Sequence, residues 1–161
     1  MIGGGVGDSY QPAEAHYGLT RKALRLCLHY GHPVHLLTKS DLILRDIDLI
    51  KEIHHKAGAI ASFSFSSVDE ELSLLLEPGV PSPAARLDAM ARIKAAGIPC
   101  GMFLLPVVPC VTDSPHLIDQ SVRLAKEAGA DFIIFGAMTL KEGRQKSHFF
   151  SAMKDRFPDL R

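Results

Sequence analysis

The residues best equipped for chemistry fall in short polar stretches set between apolar ones. The first runs from Asp8 to Glu14, just after a glycine run, and contains Tyr10, Gln11 and Pro12. Thr38, Lys39 and Ser40 follow, then Ser64, Ser66, Ser67 and Asp69, then residues 106–113 and 138–141. Lysine, hydroxyls and carboxylates in this mixture suit a zwitterionic or hydroxylated small molecule. Its ammonium group would take Glu or Asp, and its carboxylate Lys or Ser. No hydrolytic triad is recognisable.

Other constellations are weaker. The glycine run lacks the Lys-Ser/Thr ending of a Walker loop, and no convincing strand precedes it, so both phosphate-binding fingerprints lose their context. Close approach of backbone to a ligand, or fraying at an exposed end, are its remaining roles. Lys39 suits a carboxylate clamp, a Schiff-base lysine or a surface cation. His29, His32 and His35 straddle a helix end, a turn and a strand, which predicts solvated side chains rather than metal ligands. His54 and His55 complement a helix end. Cys27, Cys100 and Cys110 are odd in number and widely separated, which suits a reducing compartment better than a disulfide framework.

Composition bounds the protein further. At 161 residues and 47% hydrophobic content, the chain can bury one core, which predicts a single domain. Eighteen basic residues balance eighteen acidic ones, so the charge footprint of a free-standing nucleic-acid binder is missing. The first thirty residues hold no continuous apolar segment, and no run has the length of a membrane span. These features predict a cytoplasmic protein with no membrane partner.

The elements that must position the polar stretches recur in a regular cadence. Helical spacing marks residues 18–31, 41–58, 82–97, 115–129 and 146–160, the last stopped by Pro158. Strands are expected at "PVHLLTKS", "AIASFSFSS", "IPCGMFLLPVVP" and "ADFIIFGAMTL", the second with serines alternating toward a site. Strand followed by helix, repeated with short connections, predicts α/β architecture on a parallel sheet. A doubly wound sheet and part of a βα barrel both fit. The repeated cadence of "KAAGIPCGM" and "KEAGADFII" favours the barrel, of which a complete one takes about 250 residues. In either arrangement the site belongs at the carboxyl ends of the strands.

The ordered segments "GDSYQPAEAHYGLTRKAL", "PVHLLTKSDLILRDIDLI", "FSFSSVDEELSLLLEPGVPSPAARLDAM", "AGIPCGMFLLPVVPCVTD" and "EAGADFIIFGAMTL" are similar to radical S-adenosylmethionine (SAM) proteins related to spore photolyase, the DNA repair photolyase-like family. The likeness runs from about residue 7 to the "FP" near the end. Its signatures are Tyr10-Gln11-Pro12-x-Glu14, Thr38-Lys39-Ser40-Asp41, and Glu77-Pro78 followed by Ser82-Pro83 and Arg86. The resemblance implies a truncated TIM-like radical SAM core, a 4Fe-4S cluster, and reductive cleavage of SAM to a 5′-deoxyadenosyl radical. Glu14, with Asp8 or Gln11, would accept from the SAM amino group. Lys39 would meet the carboxylate, Ser64 and Ser66 would line the pocket, and Pro106 would lie near the adenine. DNA damage is the substrate class the family label carries. On this reading the glycine-rich opening lets backbone approach SAM closely.

The chain departs from the family in one respect. The family's Cys-x3-Cys-x2-Cys motif, which gives three irons a thiolate each, is absent from these residues. The expectation is a single partial domain over 1–161 lacking its first βα unit, inactive alone, with an unpaired strand edge open to association. Two other classes compete: a Schiff-base lyase using Lys39, and a non-enzymatic remnant or partner subunit.

Overall fold

Alternation along residues 34–38 marks the face of the sheet that the helices seal. The computed structural model describes residues 2–3 and 7–158. In β2 (Val34–Thr38), Val34, Leu36 and Thr38 are buried, while His35 and Leu37 on the opposite face are only partly covered. The parallel register carries this face onward. Leu36 pairs with Ala61 and Thr38 with Phe63 of β3 (Ala59–Phe65), and Ala61 and Phe63 pair with Cys100 and Met102 of β4 (Cys100–Val107). All these residues are buried, and all but Thr38 form one continuous apolar layer.

Helices cover that layer: α2 (Leu19–Tyr30), α3 (Ile47–Ala57), α5 (Pro83–Ala95) and α6 (Pro115–Glu127). Leu24 and Cys27 of α2, Leu49, Ile50 and Ile53 of α3, and Ala89, Met90 and Ile93 of α5 supply the inward stripes at helical spacing. Gly31 closes α2 in the left-handed conformation, φ 67°, with its N–H on the carbonyls of Cys27 and Leu28. Ser82 and Ser114 cap α5 and α6, each followed by a proline in the first turn.

The strands lie in the order β1-β2-β3-β4-β5 with every pairing parallel, where β1 is Ile2–Gly3 and β5 is Phe132–Ala137. A doubly wound sheet reverses direction within its strand order; this one does not. The architecture is therefore the barrel alternative, a partial TIM-like sheet wound one way.

Four details differ from the sequence reading. A strand does precede the glycine run: Ile2 pairs with His35 and Gly3 with Leu36. Two residues are too short for a periodicity to register. Residues 41–46 form a 3-10 turn capped by Ser40, so the expected helix starts only at Ile47. A helix not anticipated, α4 (Glu70–Leu76), sits between β3 and α5 and is capped by Asp69, whose Oδ1 accepts from Leu72 N at 2.8 Å. The last helix, α7 (Arg144–Met153), begins two residues earlier than expected and ends at Met153, short of the stop expected at Pro158. Of the glycine run, Gly4 and Gly5 lie outside the described residues, so the reading made of them does too.

At the far side of the sheet β5 is thinly covered, with Ile134 and Phe135 exposed. No helix among the described residues is long and apolar enough to cross a membrane.

Replacing Asp69 by Ala removes the α4 cap and should lower stability by about 1 kcal/mol. A shift in the urea midpoint with unchanged slope is the expected result.

Candidate functional site

The carboxyl ends of β2 and β3 open into a cavity of about 790 Å³, within the range of small-molecule sites. Asp8, Tyr10, Gln11 and Pro12 form one wall. Thr38, Lys39 and Ser40 form the floor with Ser64, and residues 79–81 close the third side. Four of the seven residues that the resemblance assigned to ligand binding, Asp8, Gln11, Lys39 and Ser64, are thus brought together from three separate segments.

Asp8 builds the wall. Its Oδ1 accepts from Tyr10 N at 2.8 Å and from Thr38 Oγ1 at 2.7 Å, and its Oδ2 accepts from Lys39 N at 2.7 Å. One carboxylate therefore staples the opening loop to the end of β2. Charge-assisted bonds of this kind are roughly twice as strong as neutral ones, and they hold the Lys39 backbone in place. The Lys39 side chain is 35% exposed, and its ammonium lies 3.5 Å from Glu77 Oε1. Ser64 Oγ points at the Leu105 carbonyl, 3.4 Å away.

Glu14, Ser66 and Pro106 do not line this cavity. Glu14 is 5% exposed and fully engaged. Its carboxylate accepts from Thr20 N at 2.9 Å, from Arg21 N at 3.4 Å and from Arg45 Nη2 at 2.7 Å. The reason is local: α2 begins after Gly18, which has no side chain to cap it, so Glu14 of α1 (Glu14–Tyr17) serves the orphan N–H groups instead. Burial pushes the Glu14 carboxyl up, and the Thr20, Arg45 and Arg21 donors outweigh it, leaving it below the usual carboxylate range. Arg45 also grips Asp46, which Arg21 bonds at 2.7 Å, and Arg21 reaches on to Asp48. This network lies behind the cavity wall. The Tyr10 hydroxyl is buried beside it, and burial followed by the Asp46 charge pushes that phenol above the ordinary tyrosine range.

Ser66 is buried past the end of β3, and Pro106 lies in β4 after a cis peptide bond from Leu105. His35, one of the three spaced histidines, lies 2.8 Å from Ser62 Oγ, and burial lowers its pKa.

The thiols do not fit an iron-sulfur cluster. Cys27 is packed in α2 within the core, and Cys110 is exposed in the loop after β4. Cys100 stands at the amino end of β4, away from the cavity, where its Sγ donates weakly to the Met90 and Gly129 carbonyls. Burial, then the Asp131 charge, pushes its thiol up to about 11, the opposite of a metal-ready thiolate. Among the described residues no group of three or more His, Cys, Asp or Glu side chains is placed to hold a metal ion.

Glu77 and Arg86 were visible in the sequence as signature residues, without a place at the site. The loop 79–81 was missed because it depends on α4. The Asp69 cap ahead of Leu72, Leu75 and Leu76 was the signal that would have found it.

The class of fold is that of a partial TIM-like βα barrel, and solved structures that hold S-adenosylmethionine share it. The crystal structure of Streptococcus suis SuiB bound to S-adenosylmethionine matches with TM-score 0.65 over 96% of this chain and 36% of that one, at 15% identity. A spore photoproduct lyase variant with bound AdoMet and dinucleoside spore photoproduct matches with TM-score 0.57 over 96% of this chain and 45% of that one, at 17% identity. No family model matches. Among curated relatives, an uncharacterized protein of Mycobacterium tuberculosis is 33% identical over 153 residues, covering 95% of this chain and 45% of its own length. An uncharacterized protein of Methanocaldococcus jannaschii is 29% identical over 144 residues, covering 89% of this chain and 52% of its own length. The chain spans about half the length of these relatives.

Two outcomes follow from the site's charges and thiols. Glu14→Gln should cost about 2 kcal/mol at neutral pH, the order of a hydrogen bond to a charged group. Because the folded pKa is depressed, this stability is present above the unfolded carboxyl value of about 4.3 and fades as pH falls through the folded pKa. Denaturation of both proteins from pH 7 to pH 2 should show the gap closing at the acid end. With a thiol reagent at pH 8, Cys110 should be modified readily in the native protein and Cys100 only after unfolding, as mass spectrometry of digests would report.

Proposed function

We propose that this chain is the SAM-binding part of a radical SAM enzyme. The observation that carries the reading is the placement of Lys39 and Asp8 on one cavity at the carboxyl ends of β2 and β3. It is supported by the fold shared with SuiB, whose structure holds S-adenosylmethionine.

In the proposed complex Lys39 binds the carboxylate of the methionine moiety. Asp8 and Gln11 face its amino group, and Ser64 lines the floor. Gln11 is exposed at the cavity, which leaves its side-chain amide available to a ligand. Glu14 contributes indirectly, by anchoring the first turn of α2 behind that wall. The Schiff-base alternative is less well supported, because the Lys39 ammonium is ion-paired with Glu77, the setting of a charge clamp.

A 4Fe-4S cluster supplies the electron that cleaves SAM in the radical SAM reaction. The cysteines of this chain are not arranged to hold one. We therefore assign the cluster to polypeptide outside these 161 residues, bearing the Cys-x3-Cys-x2-Cys motif that the sequence does not contain. Nucleic-acid damage is the proposed substrate class. Its support is the family resemblance together with the fold shared with a lyase bound to a dinucleoside, and the balanced charge adds nothing to it.

Isothermal titration of the chain with SAM tests the reading. Lys39→Met should weaken binding about 10- to 100-fold, the equivalent of one charge-assisted hydrogen bond. Binding of 5′-methylthioadenosine, which lacks the carboxylate, should be unchanged. Failure of the wild-type chain to bind SAM, or equal weakening of both ligands, would overturn it.

A further inference from the structure

Of the signature Glu77-Pro78, Ser82-Pro83, Arg86, only Glu77 has entered the site so far, through its ion pair with Lys39. Its local chemistry is that of a fixed corner. Glu77 ends α4, Pro78 cannot extend it, and Gly79 turns the chain with φ 84°. Ser82 Oγ accepts from Ala85 N at 3.2 Å, and Pro83 starts α5, which places Arg86 one turn later.

Arg86 is fully buried. Its Nη1 donates to the Ser64 carbonyl at 2.6 Å and to Glu77 Oε2 at 2.9 Å, and its Nη2 donates to Ser73 Oγ at 2.8 Å. The guanidinium also lies over the Phe65 ring, 4.7 Å from its centroid. A buried cation needs its counter-charge, so one oxygen of Glu77 is committed to Arg86. The other oxygen faces Lys39 at 3.5 Å, close enough to steer the ammonium but too long for a good hydrogen bond. One carboxylate shared by two cations leaves the group at net +1. The unfilled demand lies on Lys39, at the cavity.

We propose that Glu77, held by Arg86, is a positioning residue that aims the Lys39 ammonium at the carboxylate of an amino-acid-bearing ligand in the cavity. The same guanidinium fixes the Ser64 backbone, so a single buried group sets two cavity residues from two strands. The inference rests on the SAM reading above and adds the device behind its specificity.

The test compares affinities for SAM, decarboxylated SAM and 5′-methylthioadenosine. The proteins are the wild type, Glu77→Gln, and the double variant Glu77→Leu with Arg86→Met. Glu77→Gln raises the local charge to +2, so charge alone would strengthen the preference for SAM over its decarboxylated form. The double variant keeps the net charge at +1 and avoids an uncompensated buried arginine, so it folds even if the single variant does not. Wild type should prefer SAM by about tenfold or more. Both variants should lose most of that preference while binding 5′-methylthioadenosine as before.

A double variant that retains the wild-type preference would overturn the proposal. So would one that weakens all three ligands equally, which is a purely structural role. A wild type with no preference would instead sink the SAM reading itself, and the positioning role with it.

Discussion

The alignment of three parallel strands under one apolar layer is the constraint on which the remaining structure depends. Leu36, Ala61, Phe63, Cys100 and Met102 are sealed by helices on the same face, so β2, β3 and β4 cannot slip by one residue without turning that layer outward. With the register locked, the carboxyl ends of β2 and β3 stand side by side. Lys39 and Ser64, 25 positions apart in the chain, then open onto one cavity.

Around that cavity the protein places two charged assemblies with different duties. One joins Glu14, Arg45, Asp46, Arg21 and Asp48, and ties α1, the start of α2 and the 3-10 turn together behind the Tyr10 wall. The other joins Arg86, Glu77 and Lys39 under the opposite wall. Buried ion pairs contribute little net stability compared with apolar packing, while removing one partner costs about 3–5 kcal/mol. Their effect here is geometric: each group can occupy only the position in which its neighbours are satisfied. Asp8 works in the same way on the backbone: two hydrogen bonds hold the opening loop to the end of β2, and a third, from Tyr10 N, shapes the loop itself.

The thin cover over β5 contrasts with this order. Phe135 is 49% exposed, and its strand is the last in the sheet among the described residues. A barrel has no edges because its last strand meets its first; in a partial one, the end strands carry apolar side chains without a second neighbour.

Much of this architecture was legible in the amino-acid order. The helices over 19–30, 83–95 and 115–127 announce themselves through helical spacing and glycine ends, the last two also through serine-proline starts, all local signals that survive without tertiary contacts. The strands of β2, β3 and β4 are equally plain, and their serial cadence with helices pointed to a one-way parallel sheet. The two-residue β1 and the seven-residue α4 were too short to show a period. The choice among polar side chains was not legible. Glu14 and Asp8 look alike in the sequence, yet one caps a helix in the interior and the other lines the cavity. Arg86 stands out in the sequence only as part of a signature, and nothing there shows that it is buried and bonded to residues 9 to 22 positions away. Periodicity and capping are properties of neighbouring residues, so the sequence by itself determined the elements and their order. Which carboxylate meets which cation depends on distances set only when the elements pack, and that the tertiary structure alone decided.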